Sequence, residues 1–242
     1  MYHSDIEIKE GAFVVSDAHY SHKRPQFLNF LQAIQSKKLL PTQLILMGDI
    51  FDALFGGVKK TLDTNQKAIS IINELSQSME VIYLEGNHDF NLKNIFPHAK
   101  VFPISQQPLA CGFKMKKVIL AHGDFDGGFI YRLYTSLARD RIVLKFLNLF
   151  DDYILNKLDS YLDKKDDCSE LEYFNNLIKT RIDSNYKCDY FVEGHFHQNK
   201  EIKLDDLNYI NLGAFACNQR YFTVKSSKDK KFLRKNNFSK ET

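Results

Sequence analysis

The 242-residue sequence lacks several features that would place it in a specialised class of proteins. No apolar run reaches the roughly 18 residues that a membrane span needs, so we expect no membrane-spanning helix. The four cysteines lie far apart and form no C-x-x-C pair. This spacing predicts neither a disulfide framework nor a zinc knuckle, and it is typical of a reducing compartment. We therefore expect a cytoplasmic protein.

Charge and leader signals are also weak. The net charge is only +3, which does not by itself indicate nucleic-acid binding. The segment from Met1 to Glu10 has no apolar core, so no secretory signal is expected. Basic residues concentrate in 226–242, which we predict to be a basic C-terminal tail. Such a tail is either solvated or held weakly against an anionic membrane surface.

The most informative feature present is a set of five short polar clusters, each following a hydrophobic run. The runs are short and rich in β-branched or aromatic residues, which is typical of buried strands. Polar residues at strand ends meet along one rim of a sheet, where open α/β folds place their chemistry. The clusters are Asp17-Ala18-His19, Gly48-Asp49, Gly86-Asn87-His88-Asp89, His122-Gly123-Asp124 and Gly194-His195-Phe196-His197.

The order of the expected elements predicts an α/β fold. Helices are expected from Pro25 and over Lys60–Ser78, between the early strands. Strands follow strands later, beginning with a hairpin within residues 100–121. This order favours two mixed β-sheets packed as a sandwich flanked by helices, in one domain over residues 1–242. Residues 126–184 are predicted to form a helical lid insertion within it.

The ligand-type residues in the clusters suit a pair of divalent cations. They are Asp, His and Asn with no cysteine, a set that accepts Mn, Fe, Co or Zn. Two cations about 3.5–4 Å apart need a bridging ligand, and a carboxylate has the two oxygens required. Asp49 follows the central apolar run and is the natural bridge. Next to Asn87, His88 followed by Asp89 predicts an imidazole held by a carboxylate, able to act as an acid or to stabilise phosphoryl charge.

Taken in order, the five clusters resemble the calcineurin-like metallophosphoesterases. The shared pattern is Asp-x-His, Gly-Asp-x-x-Asp ending at Asp52, Gly-Asn-His-Asp, a lone His, and Gly-His-x-His. The resemblance implies the metallophosphoesterase fold and two cations, with manganese expected. It implies one cation bound by Asp17, His19, Asp49 and His197, and a second bound by Asp49, Asn87, His122 and His195.

A narrower resemblance is to the UDP-2,3-diacylglucosamine pyrophosphohydrolases of lipid A synthesis. It rests on the chain length, the Tyr-rich insertion after His122, and a late Leu212-Gly213-Ala214. It implies cleavage of a UDP-linked acylated sugar to UMP and 2,3-diacylglucosamine 1-phosphate, by an enzyme peripheral to the inner membrane. The best-known members have Arg where this chain has His88. Expected substrate contacts are Asn87, His88, Tyr131 and Arg132.

Two other functions remain open on the sequence. The first is a phosphodiesterase or phosphatase that acts on a soluble nucleotide or another phosphoester. The second is a non-catalytic scaffold with the metallophosphoesterase fold, which would be expected to have lost metal ligands.

Overall fold

Two β-sheets form the body of the protein. The computed structural model describes residues 6–128, 135–137, 139–147, 168–182, 186–225 and 231–240. The strands in chain order are β1 (Phe13–Val15), β2 (Leu44–Leu46), β3 (Leu54–Phe55), β4 (Val81–Leu84), β5 (Asp89–Phe90), β6 (Lys100–Phe102), β7 (Leu109–Phe113), β8 (Lys116–Ala121), β9 (Tyr190–Glu193), β10 (Lys200–Leu204), β11 (Leu207–Asn211), β12 (Arg220–Val224) and β13 (Leu233–Asn237).

Both sheets are mixed. One has the order β13-β12-β1-β2-β4-β6, in which β1, β2, β4 and β6 run parallel. The other has the order β10-β11-β9-β8-β7, in which β8, β9 and β11 run parallel. The predicted hairpin is the antiparallel pair β7–β8. A small parallel pair, β3–β5, lies apart from the two sheets.

Helices cover the outer faces of the sandwich. They are α1 (Gln26–Gln35), α2 (Lys59–Ser78), α3 (Arg141–Leu147), α4 (Phe174–Ile182) and α5 (Phe215–Asn218), with short 3₁₀ turns at Ile104–Gln106 and Phe238–Lys240. The two long helices begin within a residue of the predicted starts. None of the helices within the described residues is long and apolar enough to cross a membrane.

The core has three layers because strand side chains alternate between faces. Val14, Ile45 and Ile82 point toward the second sheet and pack with its inner residues. Their neighbours Val15 and Leu46 point the other way, toward α1 and α2. The outer face of the second sheet is covered by α4, through Phe174, Ile178 and Ile182. The predicted sandwich of two mixed sheets flanked by helices is therefore confirmed.

Two sequence expectations differ from the structure. Residues 233–237, expected within a basic tail, form β13 and pair with β12. Phe232, Leu233 and Phe238 are buried there, so hydrophobic burial holds the segment in the sheet despite its charge.

The cysteine prediction was wrong for one pair. Cys168 and Cys217 form a disulfide, although 49 residues separate them in sequence. It joins Cys168 to α5; Cys168 lies within the predicted insertion, about half of which falls outside the described residues. Cys111 and Cys188 remain free. Spacing along the chain does not reveal which cysteines folding brings together. The cysteine argument for a reducing compartment is therefore removed.

Candidate metal centre

The five clusters meet at the rim formed by the carboxyl ends of parallel strands. Loops after β1, β2 and β4 come from one sheet, and loops after β8 and β9 come from the other. Five of the seven predicted metal ligands have positive φ angles: Asp17 (52°), His19 (44°), Asp49 (50°), His195 (61°) and His197 (58°). A non-glycine residue in this region costs on the order of 1–3 kcal/mol, and such residues cluster at functional sites.

One group of side chains lies around Asp17. Nε2 of His197 is 3.1 Å from Oδ1 of Asp17. Asp17, His19 and His197 offer ligand atoms that all lie within 4.8 Å of one another. Nδ1 of His19 faces Oδ1 of Asp52 at 3.4 Å, while its buried Nε2 has no hydrogen-bond partner among the described residues. These side chains form the first group predicted from the sequence, apart from Asp49.

A second group lies around Asp49. Nε2 of His122 is 3.4 Å from Oδ2 of Asp49 and 3.4 Å from Oδ1 of Asn87. Asp49, His122 and His195 also have ligand atoms within 4.8 Å of one another. Nδ1 of His122 lies 2.9 Å from the carbonyl oxygen of Met47, which leaves Nε2 facing the site. The predicted second set therefore also comes together.

His88 lies between the two groups. It forms a further cluster with His19 and Asp49, again with ligand atoms within 4.8 Å. Its Nδ1 is 2.9 Å from the carbonyl oxygen of Asp52, and its Nε2 is 3.9 Å from Oδ2 of Asp49. The backbone N–H of His88 donates to Oδ1 of Asp49 at 2.8 Å. The imidazole thus faces the carboxylate expected to bridge the cations.

Asp89 does not hold His88, contrary to the sequence interpretation. Its fully buried carboxylate accepts hydrogen bonds from the backbone N–H groups of Asp49 (3.0 Å), Ile50 (2.7 Å) and Gly86 (2.9 Å). It also accepts from the Tyr83 hydroxyl at 2.7 Å. Asp89 therefore joins the loop of Asp49 to the loop of Asn87. Adjacent residues often point apart, which explains the error.

Gly86 is required by this close approach of the two loops. A Cβ atom at this position would lie 2.2 Å from Oδ1 of Asp49. Any side chain would therefore displace the carboxylate expected to bridge two cations.

Burial and neighbouring charges shift the pKa values of several side chains in the site. Burial acts to raise the pKa of Asp17, but the imidazole of His197 outweighs it and lowers the pKa to about 2. Burial also acts to raise the pKa of Asp49, but His122 and His88 bring it well below its usual range. Burial and the charge of Asp49 raise the pKa of Asp89 to about 7. Burial and His122 lower the pKa of His195 to about 4.

The donor set fits divalent cations. Carboxylate and imidazole groups without thiolates suit Mn, Fe, Co or Zn. Within the described part of the chain the buried Nε2 of His19 has no partner, which independently indicates a ligand at that atom, because buried polar atoms normally have partners. Overlapping clusters that share Asp49 and His19 are consistent with a dimetal site.

Tyr131 and Arg132, expected to contact the substrate, lie outside the described residues. The structure adds Arg181, which the sequence interpretation missed. Its Nη1 contacts both oxygens of Glu193 at 2.6 and 2.8 Å. A signal was present, since Arg181 shares the helical face of Phe174 and Ile178. A cation on an apolar helix face indicates a buried partner.

Curated relatives share a single name. "UDP-2,3-diacylglucosamine hydrolase" from Psychromonas ingrahamii is 28% identical over 114 residues, covering 46% of this chain and 46% of the relative. The protein of that name from Wigglesworthia glossinidia brevipalpis is 26% identical over an alignment that covers 72% of this chain and 65% of that protein. That from Histophilus somni strain 129Pt is 23% identical, covering 77% and 83%. The chain thus spans about half the length of the first of these relatives and about two thirds the length of the second.

Solved structures give weaker likenesses. YfcE, a phosphoesterase from E. coli, is 15% identical with a TM-score of 0.47, covering 93% of this chain and 98% of YfcE. A dimetal phosphatase from Danio rerio is 13% identical with a TM-score of 0.47, covering 90% and 94%. Likenesses of this strength do not bear on substrate or mechanism.

The family match is more extensive than any of these. Residues 12–199 match the calcineurin-like phosphoesterase family. That range contains every predicted metal ligand, from Asp17 to His197, and the clusters in which they meet. The chain therefore belongs to the calcineurin-like phosphoesterase family, a family of metal-dependent phosphoester hydrolases.

Proposed function

We propose that the protein hydrolyses the pyrophosphate of UDP-2,3-diacylglucosamine to UMP and 2,3-diacylglucosamine 1-phosphate, a step of lipid A synthesis. The observation that carries the choice of substrate is the shared name of the curated relatives from three genera. The family membership and the His/Asp clusters supply the hydrolytic chemistry.

In this proposal two cations, expected to be manganese, share the site. Asp17, His19, Asp49 and His197 would hold the first, and Asp49, Asn87, His122 and His195 would hold the second. When bound, the cations supply Lewis-acid stabilisation of phosphoryl charge and a more acidic water. The protein holds Asp49 and Asn87 in place beforehand, because Asp89 ties together the two loops that carry them.

His88 is the proposed proton donor or charge-stabilising group. Its Nδ1 faces the carbonyl oxygen of Asp52, which can only accept, so Nδ1 carries a proton. Nε2 then faces Asp49 and the site, where a protonated imidazole would donate to a phosphoryl or leaving oxygen. Asn87 is proposed to contact the substrate beside it, and Tyr131 and Arg132 remain proposed contacts from the insertion.

The proposal also places the protein against the cytoplasmic face of an anionic membrane, where an acylated substrate would be found. Lys225, Lys231, Arg234 and Lys235 line a groove of about 900 Å³, together with Glu201, which pairs with Lys231 at 3.2 Å. Each basic residue near an anionic surface contributes about 1 kcal/mol of attraction. Sedimentation with phosphatidylglycerol vesicles, but not with neutral ones, is the expected result.

The test is UMP release by the manganese-loaded full chain. UDP-2,3-diacylglucosamine and UDP-N-acetylglucosamine form a matched pair that differs in the acyl chains. We expect at least about 10³-fold higher kcat/KM for the acylated substrate, since burying even five methylene groups contributes about 4 kcal/mol. Faster turnover of cyclic nucleotides or simple phosphate esters would favour the soluble-substrate alternative. No turnover of any phosphoester would favour the scaffold alternative.

A further inference from the structure

Two arginines of the insertion point at the loops that carry the proposed ligands of the second cation. Arg139 precedes α3 and Arg181 lies on α4. Their side chains are only 13% and 10% exposed. Burying a guanidinium is costly unless its donors are satisfied. All three nitrogens of Arg181 have partners, whereas Nε of Arg139 has none among the described residues.

Arg181 connects the loop after β8 to the end of β9. Its Nη2 donates to the carbonyl oxygen of Gly123, the residue after His122, at 2.8 Å. Its Nη1 contacts the carboxylate of Glu193, two residues before His195, at 2.6 and 2.8 Å. Its Nε donates to Asp126 at 2.6 Å.

Aromatic rings and a further hydrogen bond fix this arrangement. The guanidinium lies 4.8 Å from the ring centre of Phe125 and 5.1 Å from that of Phe196, which lies between His195 and His197 in the chain. The Tyr209 hydroxyl donates to the fully buried carboxylate of Glu193. The planar fork thus sets the separation of the loops that carry His122 and His195.

Arg139 acts on the third loop. Its Nη2 donates to the carbonyl oxygen of Gly86, the residue before Asn87, at 2.9 Å. Its guanidinium also lies 5.3 Å from the ring centre of Phe90. Asn87, His122 and His195 are therefore each next to a residue, or within two residues of one, that an insertion arginine contacts.

The first cation position is supported differently. Arg24, from the segment before α1, contacts both oxygens of Asp52 at 2.5 and 2.7 Å. Oδ1 of Asp52 is in turn 3.4 Å from Nδ1 of His19. This support comes from the sandwich. The insertion reaches the first position through a different contact, in which the backbone N–H of Leu171 donates to Oε1 of Gln198, the residue after His197, at 2.8 Å.

We propose that the insertion controls the affinity of the second cation position through Arg181, with Arg139 acting in the same way on Asn87. Arg181 is a positioning residue that acts through His122 and His195. The inference rests on the proposed division of ligands between the two cations. It predicts that loss of the arginine fork weakens the second cation and leaves the first unchanged.

The experiment titrates metal-free protein with Mn²⁺. Equilibrium dialysis measures the bound Mn²⁺, and low-temperature EPR distinguishes coupled from isolated Mn²⁺. Arg181→Lys keeps the charge and removes the fork, so Glu193 is not left without a cation. We expect 10- to 100-fold weaker binding of the second Mn²⁺, the range typical of changes next to metal ligands. The spin-coupled dimanganese signal should give way to an isolated Mn²⁺ signal. Unchanged affinity for the first Mn²⁺ also shows that the variant has folded.

Two controls assign the effect to one position. Arg24→Lys should weaken the first position instead. In double-mutant cycles, Arg181→Lys should be non-additive with His195→Ala and additive with His197→Ala. If Arg181→Lys fails to fold, the paired variant Arg181→Met with Glu193→Gln removes both charges together and takes its place.

The outcomes separate this inference from the proposed function. Equal weakening of both positions, no weakening of either, or additivity with His195→Ala overturns the role of Arg181 while the dimetal site stands. A wild-type protein that binds only one Mn²⁺ overturns the inference together with the proposed dimetal site.

Discussion

The same parallel strands end in very different surroundings at their two ends. At the carboxyl ends, loops with positive φ angles bring buried aspartates and histidines together. At the amino ends, Glu80 pairs with Lys9 at 3.0 Å and with Lys100 at 2.5 Å, and both lysines are about half exposed. None of these three residues has a positive φ angle.

The comparison shows where the fold sustains unfavourable conformations. Exposed ion pairs such as those of Glu80 contribute little and need no special backbone. Converging carboxylates and strained backbone persist only where the surrounding structure fixes them. The hydrogen bonds of Asp89 and the buried strands beneath the rim provide that support. Changes at the carboxyl-end rim should therefore affect activity, whereas changes at the amino ends should not.

The largest effect is expected from Asp49→Asn. Asparagine tolerates the positive φ of this position but cannot supply a bridging carboxylate. Activity should fall by about 10³-fold or more, which corresponds to losing about 4 kcal/mol of charge stabilisation. Steady-state kinetics and thermal unfolding of the variant measure the two effects. Glu80→Gln is the matched carboxyl-to-amide control at the amino ends and should retain full activity.

The disulfide is the next test, because it ties Cys168, within the predicted insertion, to the rim. Cys217 lies on α5, where Phe215 and Ala216 donate backbone hydrogen bonds to Ser16 and Asp17. A bridge over 49 residues should contribute between about 3 and 4.7 kcal/mol in the loop-entropy account. Cys168→Ser should therefore lower the free energy of unfolding by this amount without reductant. With excess dithiothreitol the variant and the wild-type protein should coincide, and a difference that persists would contradict this account.

A smaller effect is expected from filling the space at Gly194. A Cβ there would lie 1.9 Å from Oγ of Ser16 and 2.6 Å from Oδ2 of Asp17. Gly194→Ala should destabilise the protein by about 1–3 kcal/mol through overpacking and should lower activity by moving Asp17. Denaturant unfolding and kinetics measure these changes. Gly128→Ala is the control, since a Cβ at Gly128 meets nothing within 4 Å in the part of the chain that the structure describes. It should change stability by less than about 0.5 kcal/mol.

The smallest effect concerns pH at the amino ends. Partial burial acts to raise the pKa of Glu80, but Lys100 and Lys9 lower it below its usual value of 4.5. A carboxyl whose pKa is lower in the folded state stabilises the protein above pH 4.5 and loses this effect as the pH falls through the folded pKa. At pH 7 the free energy of unfolding of the wild-type protein should exceed that of Glu80→Gln by no more than about 1 kcal/mol. The difference should disappear near pH 3 in urea unfolding, and one that grows toward acid would contradict the assigned sign.

Much of the site could be predicted from local patterns. Hydrophobic runs of three or four residues identified the strands before Asp17, Asp49 and Asn87, because buried parallel strands are apolar on both faces. The polar residue after each run then lies at the common rim. The role of Asp89 could not be predicted in this way, because its partners come from the loops of Asp49 and Gly86 and not from its neighbour His88.

By itself, the sequence determined the α/β sandwich, the family and the polar clusters that meet at the rim, since each depends on periodicity or on residues close together in the chain. Only the tertiary structure decided the disulfide between Cys168 and Cys217, the strand at 233–237, and the contacts of Arg181 with Glu193 and Gly123. These depend on the separation in space of segments that are distant in sequence. That separation follows from how the two sheets and the insertion pack, which no local pattern records.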